Sequence, residues 1–110
     1  MDRIMRSSCP IAGALDLFGD KWTLLVLRDL MFRQKTTYGD LLQSPEGVAT
    51  NILADRLDRL CQAGFIEKRG RAYGVTSKGW TLEPVMRGIL RWGLRELPGT
   101  ERPNTNLHND

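Results

Sequence analysis

The chain of 110 residues has one histidine, two cysteines and no long apolar run, and each shortage removes a class of chemistry. His108 lies in a polar stretch from Pro103 to Asp110. Cys9 and Cys61 stand apart, without the paired Cys/His spacing of a zinc site. There is no glycine-rich phosphate loop and no nucleophile elbow. The expectation is therefore no metal, no cofactor and no enzyme. The apolar stretch Leu24 to Leu27 is closed at once by Arg28, far short of the ~20 residues a membrane helix needs. The N-terminal segment carries charges but no apolar signal-peptide core. A cytoplasmic protein is expected, with no membrane partner and with both cysteines as thiols rather than a structural disulfide.

What is present suits one folded domain. Hydrophobic residues make up 41% and charged residues 26%, enough for a single core at this length. Lys and Arg exceed Asp and Glu by 16 to 13, a mild basic excess that permits a polyanionic partner without requiring one. The folded domain is expected over residues 8–97, with a polar flexible tail over 98–110.

Local signals divide the chain into five helical segments and a hairpin. Cys9-Pro10 opens a first helix with Ile11, Ala14, Leu15 and Phe18 on one face, and Gly19 is expected to end it in a left-handed conformation. Asp20 caps a second helix that is apolar nearly all round (Trp22, Leu24, Leu25, Val26, Leu27, Leu30, Met31), the mark of a buried central helix with Trp22 in the core. Thr36-Thr37 suits a very short strand, and Tyr38 to Gln43 a short helix. Ser44-Pro45-Glu46-Gly47 is a turn by composition. A helix over about Ala49 to Ala63 carries the stripe Leu53, Leu57, Leu60 and is stopped by Gly64. Phe65 to Lys68 and Ala72 to Val75 are strand-like, with Gly70 between them for a tight turn. A last helix is expected from near Ser77 to Leu97, kinked or restarted at Pro84.

Helix, helix, short helix, helix, basic hairpin and long helix in that order is the winged helix-turn-helix plan, mainly α with a small β-hairpin wing. In that plan the second helix of the turn motif enters the major groove of DNA, and the hairpin reaches the backbone or the minor groove. The candidate contacts follow. Thr50 and Asn51 open the candidate recognition helix, where base edges are read, and Asn can pair bidentately with adenine. Asp55, Arg56 and Arg59 lie further along it, and Thr37 and Tyr38 begin the helix before it. Lys68, Arg69 and Arg71 make the hairpin the densest positive cluster, able to supply sequence-independent affinity or to be merely a solvated turn. Arg56 flanks the apolar stripe, where it can pair with Asp40 or Asp20 as readily as with DNA. Tyr73 suits strand packing.

The segment Cys9-Pro10-Ile11, Ala14-Leu15-Asp16, Gly19-Asp20-Lys21-Trp22-Thr23-Leu24-Leu25 and Leu27-Arg28-Asp29-Leu30 resembles the opening signature of HxlR-type winged-helix transcriptional regulators. So do Tyr38-Gly39-Asp40-Leu41, Gly47 to Leu57, Ala63 to Arg69, Thr76-Ser77-Lys78-Gly79, and the later Leu82, Pro84-Val85 and Arg91-Trp92-Gly93. The resemblance covers residues 8–97 and implies a homodimeric regulator of double-stranded DNA that dimerises through its first and last helices. It departs at the wing, shorter than usual for the family, and in the strand Tyr73-Gly74-Val75-Thr76, where a bulkier apolar residue before Thr is more common.

Surplus apolar surface points the same way. Ile89, Trp92 and Leu97 with Ile11 and Leu15 can form a two-fold patch, unless Trp92 closes the monomer core. Cys9 sits at a helix N-terminus, which favours thiolate, and Arg3 and Arg6 can add positive potential. Some relatives sense oxidants or electrophiles through a cysteine in this Cys-Pro context, so Cys9 is a candidate redox sensor for an oxidant or small-molecule effector. The alternative is a small cap residue with no such role. Cys61, beside the leucine stripe, is expected to be an inert buried thiol. The competing functional reading is a protein–protein interaction module on the same scaffold.

Overall fold

The computed structural model describes residues 7–101. It contains α1 (Pro10–Phe18), α2 (Thr23–Phe32), α3 (Tyr38–Leu42), α4 (Thr50–Gln62), β1 (Ile66–Arg69), β2 (Ala72–Val75), α5 (Ser77–Trp80) and α6 (Glu83–Glu96). The expectations for Arg3, Arg6, His108 and the tail beyond residue 101 lie outside the described residues.

Cys9 is the N-cap of α1 in extended conformation, with Pro10 in the first turn, where its missing N–H has no partner to lose. Gly19 corrects the expectation of a left-handed cap. It is right-handed, at φ −77° and ψ −5°, and its N–H donates to the carbonyl of Leu15 at 2.8 Å. A Cβ there would lie 2.5 Å from that carbonyl oxygen, so the close approach, not the handedness, requires glycine. No residue of α1 is buried, and only Leu17 and Phe18, at its end, pack against the core.

Asp20 precedes α2 by three residues and accepts from the N–H groups of Trp22 and Thr23 at 2.8 and 3.0 Å, which caps the first turn. Val26, Leu27, Leu30, Met31 and Phe32 of α2 meet Leu41, the α4 stripe of Leu53, Leu57 and Leu60, then Phe65, Ile66, Leu82 and Met86 in one core. Burial of α2 is less complete than its composition suggests. Leu24 and Leu25 are half-buried along an apolar groove of about 170 Å³ against Met86, Ile89 and Leu90. Trp22 is also only half-buried, with the ammonium of Lys21 4.8 Å from its ring centroid. It stands at the edge of the core because the helix starts just after it.

The wing is an antiparallel hairpin with Ile66 opposite Val75, Glu67 opposite Gly74, Lys68 opposite Tyr73 and Arg69 opposite Ala72. Gly70 has φ +62° while Arg71 is not left-handed, the φ pattern of a type II′ turn, whose twist matches that of the strands. Thr36-Thr37 forms no strand but an isolated bridge: Tyr73 N–H donates to Thr36 O at 2.8 Å and Thr37 pairs with Ala72, tying the wing to the start of α3.

Of the two outcomes open at Pro84, a kink or a restart, the structure has the restart, so the last segment is two helices. The N–H groups of Thr81 and Leu82 turn back to Lys78 and Gly79 at 3.2 and 3.0 Å, closing α5 in tight i to i+3 bonds. Pro84, which has no N–H to give to that turn, stands in the first turn of α6. Gly79 is required by space: its Cβ would sit 2.1 Å from the carbonyl oxygen of Phe65.

Candidate nucleic-acid interface

Three elements converge on one side of the molecule: α3, the outer face of α4, and the wing. The apolar stripe turns Leu53, Leu57 and Leu60 inward, so helical periodicity turns Asn51, Asp55, Asp58, Arg59 and Gln62 outward, and all five are exposed. Thr50, also exposed, opens the helix. The N-cap is Ala49, which offers no side-chain acceptor, so first-turn N–H groups of α4 are open to an anion. The hydroxyl of Tyr38 donates to the carbonyl of Thr50 at 2.9 Å and sets the spacing between the first turns of α3 and α4.

Alternation along the wing sorts its cations. Lys68 and Tyr73 are cross-strand partners on the same face as buried Ile66, with the Lys68 ammonium 5.7 Å from the Tyr73 ring centroid. Lys68, Arg71, Tyr73, Thr37, Tyr38 and Gly39 line a cleft of about 450 Å³ between wing and α3. Tyr38, Lys68 and Tyr73 recur in a second cleft of about 310 Å³, which runs on to Ala54, Asp58 and Cys61 of α4. Arg69 points to the other face, where its guanidinium pairs with Glu67 and lies over Gly74. A Cβ on Gly74 would meet that guanidinium carbon at 3.1 Å, a contact that the exposed arginine side chain can relieve by a small shift.

Charges on α4 are linked to one another. Arg59 Nε lies 2.9 Å from Asp55, and Asp55 also pairs with Arg56. Of the two partners open to Arg56 from sequence, the structure has Asp20, with Nε to Oδ1 at 3.0 Å. Burial pushes the Asp20 carboxyl up, but this is outweighed by donors from the Thr23 hydroxyl, the Trp22 N–H, Arg56 and the Thr23 N–H, which hold it well below the usual carboxylate range. Gln62 donates to Asp58 at 3.0 Å.

One group escaped the sequence reading. Arg28, buried on α2, gives a bidentate pair to Glu46 at 2.7 and 2.8 Å and a further bond to Asp29 at 3.0 Å. Asp29 also accepts from the Ser44 hydroxyl and lies 3.4 Å from Arg33. The turn between α3 and α4 is thus bolted to the central helix through Ser44 and Glu46. The Arg28 bond holds the Glu46 carboxyl down at about 2, against the upward push of burial. The available signal was the charged pair Arg28-Asp29 within an otherwise apolar helix, where an unpaired charge would be costly.

The five residues of the expected two-fold patch, Ile11, Leu15, Ile89, Trp92 and Leu97, are all exposed large hydrophobics, with Ile11 70% exposed and Trp92 52%. Cys9 is exposed and Cys61 half-buried, and burial, with Asp58 nearby, pushes the Cys61 thiol up despite Lys68. Among the described residues no group of three His, Cys, Asp or Glu could hold a metal ion, and no helix is long and apolar enough to cross a membrane.

A helix-turn-helix followed by a β-hairpin that shares a cleft with it defines the winged-helix class. The pattern of the HxlR-like helix-turn-helix family matches residues 17–101, and the chain belongs to that family. It is 34% identical over 92 residues to sll1512, an HTH-type transcriptional regulator of Synechocystis, covering 77% of this chain and 67% of that one. The chain spans about two thirds of the length of the curated relatives it matches. Among solved structures it resembles PA1607, with a TM-score of 0.76 at 34% identity over 89% of this chain and 73% of that one. It also resembles quinone-bound YodB from B. subtilis, with a TM-score of 0.69 at 26% identity over 79% of this chain and 99% of that one. The protein is thus a transcriptional regulator of the winged-helix type, a class that acts by binding and not by catalysis.

Proposed function

We propose that this regulator binds a two-fold-symmetric DNA operator as a homodimer. The observation that carries the reading is the single surface shared by the outer face of α4, the uncapped first turn of that helix and the wing cations. Thr50, Asn51, Asp55 and Arg59 face the base edges in the major groove, and Thr37, Tyr38, Lys68, Arg69 and Arg71 face the sugar-phosphate backbone. Arg69 must first leave Glu67 to take part. Two-fold pairing through Ile11, Leu15, Ile89, Trp92 and Leu97 sets the two α4 helices one DNA turn apart, about 34 Å. The exposure of those apolar side chains supports this reading, since a monomer would leave them in water.

Two measurements test it. Asn51→Ala loses discrimination at one base pair, about 1–3 kcal/mol, whereas Arg71→Ala weakens all sequences alike and lowers the salt slope by about one. Ile89→Glu with Trp92→Glu yields a folded monomer by light scattering. A protein that keeps full operator affinity in both DNA-contact variants does not dock on DNA as described, and one that gives no gel shift on its own upstream region is instead an interaction module on the same scaffold.

A thiol response is part of the proposal. YodB binds a quinone, an electrophile, and in this chain the exposed thiol at the start of α1 is Cys9, close in sequence to Ile11 and Leu15 of the proposed dimer patch. Its modification alters how the two protomers meet and so the spacing of their recognition helices.

A further inference from the structure

Arg56 and Asp20 form the one ion pair that joins the middle of α4 to the junction between α1 and α2 among the described residues. Asp20 is a hub with four donors: Oδ1 takes the N–H groups of Trp22 and Thr23 and Arg56 Nε, and Oδ2 takes the Thr23 hydroxyl. Its position is therefore set by the start of the central helix, and Arg56 inherits that position. The Arg56 side chain is 17% exposed, against 66% for Arg59 one residue turn further on. Five residues separate Arg56 from Asn51, which is roughly 140° round the helix axis. Arg56 thus leaves α4 on the flank facing α2, away from the side that carries Asn51. Its second bond runs to Asp55, which in turn holds Arg59 at 2.9 Å, so the chain of pairs leads from Asp20 to an exposed cation on the outer face.

We propose that Arg56 is a positioning residue rather than a DNA contact: pinned to Asp20, it sets the rotation of α4 about its own axis and, through Asp55, the place of Arg59. The inference rests on the reading of α4 as the recognition helix. The first turn of α4 is fixed separately, by Tyr38 at Thr50, and the turn leading into it by Arg28 at Glu46. Those tethers set where the helix begins. At its far end α4 is held by Lys78 at the Ala63 carbonyl and by Thr76 at the Gly64 carbonyl, so among the described residues the Asp20 pair is the ion pair that resists rotation in the middle of the helix, beside the leucine stripe. Loss of the pair lets the outer side chains drift relative to the base edges, which degrades sequence discrimination while leaving total charge attraction nearly as before.

The two roles predict opposite signs at Asp20. Asp20→Ser keeps a good cap for the Trp22 and Thr23 N–H groups but cannot reach Arg56. Duplexes enriched by the wild-type protein from a random-sequence pool are compared with the unselected pool, over a salt series, for Asp20→Ser, Arg56→Gln and the double variant. Positioning predicts that each single variant loses about tenfold on the selected duplex, that the pool is bound nearly as before, and that the double variant is no worse than either single. Were Arg56 a phosphate contact, Arg56→Gln would weaken both duplexes and lower the salt slope by about one, while Asp20→Ser, freeing an arginine, would tighten the pool. A merely structural pair would lower the melting temperature and leave the ratio of selected to unselected affinity unchanged well below it. Either result overturns the proposal. If Asp20→Ser does not fold, Arg56→Lys replaces it: a positioning role loses discrimination at unchanged salt slope, and a phosphate contact keeps both. Failure of the wild type to enrich any sequence is a separate outcome, seen before any variant is made, and ends the operator reading itself.

Discussion

The hydroxyl of Tyr38 donates to the backbone carbonyl of Thr50 at 2.9 Å, so the first turns of α3 and α4 are joined by a side chain and not only by the loop between them. Tyr38→Phe keeps the ring, which is half-buried against the core, and removes only this bond. The expected cost is about 0.5–1.5 kcal/mol in urea unfolding, with a parallel loss of operator affinity because the N-terminus of α4 is released. Unchanged stability would mean that water replaces the bond without loss.

Glu46 makes the protein acid-sensitive. Its carboxyl is held at about 2, below its ordinary value of 4.5, chiefly by Arg28. The contribution of the pair is complete above pH 4.5 and is lost as pH falls from there towards 2, because the unfolded chain takes up the proton first. Asp20, also depressed, adds to the same trend. Glu46→Gln therefore costs stability at neutral pH, about 1.5–3 kcal/mol for a charged hydrogen bond. Urea titrations at descending pH should find wild type and variant converging towards pH 2. Arg28→Ala is more severe, about 3–5 kcal/mol, since it strips Asp29 of its nearest cation in a buried site.

Two glycines should respond to alanine for different reasons. At Gly79 the new Cβ would lie 2.1 Å from the Phe65 carbonyl oxygen and 2.7 Å from Val75 Cγ1, so α5 must move off the root of the wing. At Gly70 there is open space and the cost is only that of φ +62°, about 1–2 kcal/mol. Thermal melts should rank Gly79→Ala well below Gly70→Ala, and the reverse order would contradict the packing described.

Cys9 and Cys61 should differ in reactivity. Cys9 is exposed, whereas Cys61 is half-buried with its thiol pushed up by burial and by Asp58. Iodoacetamide at neutral pH is expected to label Cys9 well before Cys61, by peptide mass. Diamide is expected to change operator affinity in the wild type and not in Cys9→Ser. Equal, slow labelling with unchanged binding would end the thiol reading.

Much of this fold is written locally. Leu53, Leu57 and Leu60 at helical spacing are enough to orient α4, and with it the exposure of Asn51 and Arg59. Gly64 and Gly70 stop a helix and turn a hairpin because both adopt positive φ, which other residues resist. Pro84 announces the restart of the last helix because it lacks an N–H. The apolar surplus on α1 and α6 was also legible, since more hydrophobic positions were present than one small core can cover. Where local reasoning erred, a tertiary contact intervened. Gly19 suggested a left-handed cap, but it serves close approach to Leu15. The Ser77 to Leu97 pattern left open a kink or a restart at Pro84, and the structure has the restart, with α5 held by Gly79 against Phe65.

What only the tertiary structure decided is the pairing of charges. Arg56 had two acidic candidates in sequence, and the choice of Asp20, 36 residues away, depends on how the α1–α2 junction lies across α4. Arg28 meets Glu46 across 18 residues, and nothing local to either marks the other. Apolar patterning is a property of one helix face and is visible in a short window. An ion pair in a half-buried site is a property of two distant segments brought together, and its energy exists only once the core has set their separation.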